Sequence, residues 1–309
     1  MKKGFTLLEL IFVIIVIGLL AKFGTNLLAT AYTSAARTSI NNRLQNDSDL
    51  TLQQLANRLQ YRIKDSVVTR TGLNGVATSL TSSVGTPDVL EWVGYDIDGW
   101  LGINTVGYNR PTWSGFIDIN RDPLGAIVPA NNFLLSPGTN TTDANTVIQA
   151  MRGNGSATGF ANSAIFFTGA NSDATTDYGW NSAGALGVQS TVAAHRVTSV
   201  LANLNRLIPV GANFANTDIY ENYKLSWTAY AIRLWDQDGD GQNELYLYYD
   251  YQPWQGERAG AGTQVLLLNN VDTFKFIAIG SSIKIQVCVN ESNTLGGGVY
   301  ALCKEIAIF

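Results

Sequence analysis

Apolar and polar positions divide the chain into a uniformly apolar start, a periodic stretch and an alternating end. From Phe5 to Ala21 every residue is apolar except Thr6 and Glu9. Seventeen residues at about 1.5 Å each span roughly 25 Å, enough to cross the hydrocarbon core of a bilayer. Met1-Lys2-Lys3-Gly4 forms a short charged leader, and its lysines hold that end on the cytoplasmic side. No small-x-small signal cleavage site closes the apolar run, because Gly18 is followed by Leu19-Leu20-Ala21-Lys22 and the amphipathic pattern continues. From Leu27 to about Val68, Leu50, Leu52, Leu55, Leu59 and Ile63 recur near the helical period. They predict one long helix, broken or kinked at Asp47-Ser48-Asp49, whose second half lies against a sheet. Its polar face carries Gln53, Arg58, Arg62 and Lys64 and reads as solvated.

The period then shortens. Thr71 to Pro87 reads as a loop, and Val89 to Tyr95 and Phe116 to Ile119 read as strands. Between Asn131 and Gly184 the composition shifts to Asn, Gly, Ala, Ser and Thr around one apolar run, Ala164-Ile165-Phe166-Phe167, as in an elaboration inserted into a smaller core. Val192 to Ile208 reads as a further helix. Strands follow at Leu225 to Trp235, Leu245 to Tyr251, Gln264 to Leu268 and Phe274 to Ile279, and Ile283 to Val289 pairs with Lys304 to Phe309. The expected fold is α+β: a long N-terminal helix packed on a C-terminal antiparallel sheet, with a large loop-rich insertion. Residues 1–4 form the leader, 5–26 the membrane or filament-core helix, 27–68 its amphipathic continuation, and 69–309 the head, with the insertion at about 120–215.

Glu9 is the unexpected residue in the apolar run, because a carboxylate inside a membrane helix costs several kcal/mol unless it finds a partner. One reading is an ordinary anchor with a stray glutamate. The residues Gly4-Phe5-Thr6-Leu7-Leu8-Glu9 resemble the processing motif of type IV pilins and type II secretion pseudopilins. The resemblance implies cleavage between Gly4 and Phe5 by a prepilin peptidase, methylation of the new amine, and pairing of Glu9 with the Phe5 amine of a neighbouring subunit. It also implies other pilin or pseudopilin subunits and an inner-membrane assembly platform as partners, with a single-pass protein whose head is periplasmic before assembly. The order of elements, Leu55 to Val68 and the stretch Val265-Leu266-Leu267-Leu268 through Val271-Asp272-Thr273-Phe274-Lys275-Phe276 are similar to minor pseudopilins of the J type. Many pilins carry a proline later in this helix; here the first proline is Pro87.

Charge narrows the partners. The formal net charge is −4, and loss of Lys2 and Lys3 would take it to −6. Between Thr71 and Val200 the cations are Arg110, Arg121, Arg152 and Arg196 alone, so no basic stripe offers a track for nucleic acid. The two cysteines, Cys288 and Cys303, flank a Gly-rich stretch and suit a disulfide closing a hairpin in an oxidising compartment, worth about 3 kcal/mol by loop entropy. The alternative is two buried thiols; a zinc site is disfavoured because two thiols without a nearby histidine leave its tetrahedron half empty.

The strongest chemical signal is Asp236-Gln237-Asp238-Gly239-Asp240-Gly241-Gln242-Asn243-Glu244. Asp236, Asp238, Asp240 and Glu244 alternate along a compact loop, so several oxygens can converge on one hard cation, with calcium preferred to magnesium. It is no EF-hand, since the twelfth position is Leu247. A metal-free hairpin turn is the alternative. Other constellations favour no reaction. His195 is the one histidine, its neighbours read as helical, and no Gly-x-Ser-x-Gly elbow is present. Gly153 to Gly159 lacks dinucleotide-loop spacing. Glu91, Asp96 and Asp98 are paired carboxylates of a kind any acidic loop offers. The tryptophans Trp92, Trp100, Trp113, Trp180, Trp227, Trp235 and Trp254 read as core or sheet cover rather than as a sugar groove. We therefore expect a filament subunit and not an enzyme, with a pilin-anchored adhesin or ligand-binding module as the alternative.

Overall fold

The computed structural model describes residues 6–81, 86–102, 110–119, 133–152, 159–200, 203–293 and 298–309. It opens with one helix, α1 (Leu7–Leu59), of 53 residues. Every large apolar side chain from Leu7 to Leu28 is exposed, and the most apolar window of this helix has a mean hydropathy of 2.5. It is therefore long and apolar enough to cross a membrane. From Leu44 on, the periodic stripe is buried: Leu44, Ser48, Thr51, Leu52, Leu55 and Leu59. The helix passes through Asp47-Ser48-Asp49 unbroken, because Ser48 faces inward while Asp49 reaches Lys304. It ends at Leu59 rather than near Val68. There Arg62 donates to the carbonyls of Leu59 and Ser281, and the chain turns into the sheet.

The short strands β1 (Val68–Arg70), β2 (Thr78–Ser79) and β3 (Val89–Gly94) come first, followed by α2 (Ile97–Leu101). Next come β4 (Leu134–Leu135), α3 (Thr141–Arg152), β5 (Ala164–Phe167), β6 (His195–Val200), β7 (Asn203–Pro209) and β8 (Tyr223–Ser226). The chain closes with β9 (Thr228–Trp235), β10 (Glu244–Tyr251), β11 (Thr263–Leu268), β12 (Val271–Ile279), β13 (Ser282–Asn293) and β14 (Gly298–Ile308). Among the described residues these strands form three antiparallel sheets, in the orders β11-β10-β9-β3-β1-β2, β4-β7-β6-β5-β8 and β12-β13-β14.

Strand alternation explains how these sheets stack, since successive side chains point to opposite faces. On β3, Leu90 and Trp92 join Leu55 and Leu59 of α1 and Ile285, Val287 and Ile308 of the three-stranded sheet in one core. Val89 and Val93 face the other way and meet Phe166, Tyr178, Trp180 and Trp254. On β5, Phe166 belongs to that second core while Ile165 and Phe167 enter a third, with Trp113, Ile148 of α3, Leu207 and Trp227. The inserted region is thus a folded layer with its own core.

Several local expectations are corrected. Val192 to Ile208 is not helical: β6 and β7 form a hairpin there, with Val197 opposite Pro209 and Thr198 opposite Ile208. Its β-branched residues favour a pleated surface over a helix. Leu225 to Trp235 is not one strand, because Trp227 separates β8 from β9 and the two lie in different sheets. Phe116 to Ile119 makes only an isolated bridge, Phe116 with Asn222. The C-terminal hairpin has the expected pairing, with Ile283 opposite Ile308 and Val287 opposite Lys304.

Candidate functional site

The β9–β10 connection carries the acidic sequence. Arg233, Trp235 and Leu234 pair with Tyr246, Glu244 and Leu245, so the two strands deliver Asp236 and Glu244 to the base of one turn. Asp236 accepts from the Gly239 and Gly241 backbone N–H groups at 2.7 and 2.9 Å. Asp238 accepts from Asp240 N at 3.1 Å, and Asp240 from Gln242 N at 2.8 Å. Gly239 and Gly241 have φ of 80° and 86°, a region open to glycine and costly for most side chains. Glu244 is buried and accepts from Gln237 N at 3.1 Å.

This folding brings one carboxylate oxygen from each of Asp236, Asp238, Asp240 and Glu244 within 4.8 Å of one another. Oxygens about 2.3–2.6 Å from a calcium ion lie up to about 5 Å apart across it, so the cluster has the dimensions for a hard divalent cation. Four negative groups at this separation repel, and a bound cation would offset that repulsion. The turn also supports its surroundings: Asn243 C=O accepts from Val271 N at 2.8 Å, and Gln237 accepts from Gln264 Nε2 at 2.6 Å.

At the other end of the chain, Gly4 and Phe5 lie outside the described residues. Glu9 sits in the first turn of α1 in a capping box: the Thr6 hydroxyl accepts from Glu9 N, and the Glu9 carboxylate accepts from Thr6 N at 3.3 Å. The positive end of the helix dipole falls there, so an acidic side chain is locally favoured. The capping-box signature, Thr6-x-x-Glu9 before an apolar run, is present in the sequence. Cys288 and Cys303 oppose each other directly on β13 and β14, joined by a disulfide with their Cα atoms 4.0 Å apart.

Most of the remaining candidates are buried. His195 is buried on β6, with Nδ1 3.1 Å from Gln189 Oε1 and its ring 4.9 Å from that of Phe167. Burial lowers its pKa to about 4, so it is neutral over the physiological range. Glu91 pairs with Arg70 at 2.6 Å with both side chains only 1% exposed. Burial pushes its carboxyl up from the usual range, against the pull of Arg70. Asp96 caps α2 through Gly99 N at 3.1 Å. Burial raises Asp98 from its ordinary value. Trp92, Trp113, Trp180 and Trp254 are fully buried, Trp227 is buried, and Trp100 alone of the seven is 40% exposed. Gly153 to Thr158 lie outside the described residues. No protein-family model, curated protein or solved structure matches the chain.

Proposed function

We propose that the chain is a structural subunit of a type IV pilus or type II secretion-like filament, of the minor, J-like kind. A prepilin peptidase releases it between Gly4 and Phe5, and it passes from the inner membrane, head in the periplasm, into the filament. The observation that carries this reading is α1: one continuous helix, exposed and predominantly apolar over Leu7 to Leu28, then buried against the head from Leu44. Such a helix needs lipid around its first half, or neighbouring helices in its place. Glu9 then has two successive partners, the N–H of Thr6 within the chain and the Phe5 amine of a neighbour during assembly.

Glu9→Gln separates these roles, because glutamine closes a capping box as glutamate does but brings no charge. The expected result is a processed, membrane-inserted protein that fails to enter filaments. Filament incorporation at the parental level would refute the charge pairing on which the assembly reading rests.

The acidic turn serves this function as a structural calcium site stiffening the β9–β10 hairpin. Calcium should raise the unfolding temperature of the parent chain and leave that of Asp238→Ala unmoved; no rise in the parent removes the site. A second reading, an adhesive or ligand-binding module carried by the same anchor, is favoured by one observation, the separate core around Trp113, Ile165 and Leu207 in the inserted layer.

A further inference from the structure

Beyond the C-terminal end of α1 lies a cleft of about 870 Å³ whose walls come from four places in the chain: the segment that follows the helix, β2, the loop before and after Trp180, and the β12–β13 turn. Two hydrogen-bonded clamps fix those walls. Arg62, 2% exposed, donates to the Leu59 and Ser281 carbonyls at 2.8 Å each and so ties the helix end to the β12–β13 turn. The Asn181 amide donates to the Ala77 carbonyl at 3.1 Å and accepts from the Ala77 N–H at 2.8 Å, as a neighbouring strand would, and holds the lead into β2. The cleft is thus shaped before anything enters it, and its volume falls in the range of small-molecule sites.

Its lining is polar and of mixed kind. Thr78, Ser79, Ser281 and Ser282 supply hydroxyls, and Arg62 and Lys64 supply positive charge. The partners of Arg62 are main-chain oxygens, the third being that of Phe309 at 3.5 Å, so its buried charge meets no acidic side chain among the described residues. Lys224, half-buried with its Nζ 4.4 Å from the centre of the Tyr95 ring, adds a third cation nearby: burial lowers its pKa, and the charges of Lys64 and Arg62 push the same way. Positive charge thus collects here in a chain whose net charge is −4. Two carboxylates share the wall. Asp173 is engaged within its own turn by the Thr175 N–H and hydroxyl, at 2.7 and 2.6 Å, whereas Asp65 is exposed and free to accept from a ligand hydroxyl.

We propose that the cleft binds a sugar carrying one anionic group, a carboxylate or a phosphate, with that group against Arg62 and Lys64 and the ring hydroxyls against the hydroxyl wall and Asp65. A guanidinium and an ammonium make charge-assisted hydrogen bonds to an oxyanion. Serine and threonine hydroxyls both donate and accept, which suits a polyol; a bare ion would leave them unused. Lipid headgroups are out of reach, because from Lys22 to Leu59 α1 rises roughly 56 Å at about 1.5 Å per residue and carries the cleft clear of a bilayer around the apolar run. The inference rests on the second reading above, of a ligand-binding module, and is independent of the filament reading.

The test titrates the full chain, in a detergent that contains no sugar, with glucuronate, glucose 6-phosphate, glucose and inorganic phosphate in a calorimeter. The expected result is saturable binding of glucuronate and glucose 6-phosphate, with glucose and inorganic phosphate weaker by at least about tenfold. Lys64→Glu, at an exposed position, should keep the parental unfolding temperature and weaken both anionic sugars by at least about tenfold. Ser79→Ala should weaken the two sugars and leave inorganic phosphate unchanged. Anionic-sugar binding that Lys64→Glu leaves unmoved places the ligand elsewhere on the head, so the module reading stands and this cleft is overturned. Inorganic phosphate bound as tightly as glucose 6-phosphate overturns the sugar, and no saturable binding of any of these probes overturns the site.

Discussion

The two faces of the six-stranded sheet are held by different physics. The face toward α1 is apolar: Leu90, Trp92, Ile232, Leu245 and Leu247 meet Leu52, Leu55 and Leu59 of the helix. The face toward the inserted layer mixes small residues, Ala229 and Ala231, with a buried charge pair. There Arg70 donates to Glu91 Oε2, to the Gly75 carbonyl and to the Trp180 carbonyl, each at 2.6 Å. Arg258 donates to the same Trp180 carbonyl. Apolar burial is non-directional and tolerates adjustment along the helix, whereas a guanidinium bonded to three acceptors admits one placement. The sheet therefore grips its stalk by area and orients its inserted layer by hydrogen bonds.

The largest way to break this contrast is to leave a charge unpaired. Glu91→Ala strands Arg70 in an interior with no carboxylate partner and should cost about 3–5 kcal/mol in denaturant unfolding. The double variant Glu91→Leu with Arg70→Met should recover most of that loss, since a buried pair gains little over apolar residues of similar volume. A double variant as unstable as Glu91→Ala would show that the face depends on the charges for stability as well as for orientation.

On the helix side, Leu55→Ala leaves a cavity where the side chain is fully buried and should cost about 2–5 kcal/mol. Val16→Ala, on the same helix where nothing in the chain covers it, should change head unfolding by less than about 0.5 kcal/mol. Equal effects at the two positions would mean that the stalk half of α1 packs against its own head, contrary to the exposure seen along it.

The helix face was legible in the sequence and the inserted face was not, for physical reasons. Leu52, Leu55 and Leu59 announce a buried stripe by their spacing, and the alternation in Leu245 to Tyr251 announces a strand. The turn at Asp236 and the Cys288–Cys303 pairing are local in sequence, so composition and spacing suffice for both. Arg70, Glu91 and Trp180 are brought together by tertiary folding alone; Arg70 and Trp180 are 110 residues apart and nothing local marks either as a partner. Val192 to Ile208 misled because Ala193, Ala194 and Leu204 suit a helix, and only pairing with β5 and β4 makes its strands worth forming. Within the unbroken helix, Asp49 meets Lys304 of β14, a contact that no local pattern announces.

A further prediction concerns pH and separates the faces by slope rather than by total stability. Asp96 lies where β3 leaves the central sheet for the inserted layer, with its N–H donating to Leu225 C=O at 2.7 Å. Its Oδ1 accepts from Gly99 N, while Oδ2 is buried with no hydrogen-bond partner. Burial raises its pKa from 3.8 to about 7, with Asp98 pushing the same way and the Gly99 N–H opposing. The native carboxyl thus keeps a proton that the unfolded chain has lost between those two values. Stability should fall as pH rises from about 3.8 to about 7, by at most about 1.4 kcal/mol per pH unit from this group, and level off above. Asp96→Asn retains a good capping side chain and cannot ionise, so it should flatten that part of a stability profile measured by denaturant unfolding at several pH values. Glu91, raised in the same direction, keeps a residual slope in the variant. Leu55→Ala should lower the whole profile without changing its shape over this range, because Tyr230, on the face it disrupts, is pushed up by burial to about 12 and stays protonated throughout; a changed slope there would show that the two faces unfold as separate units.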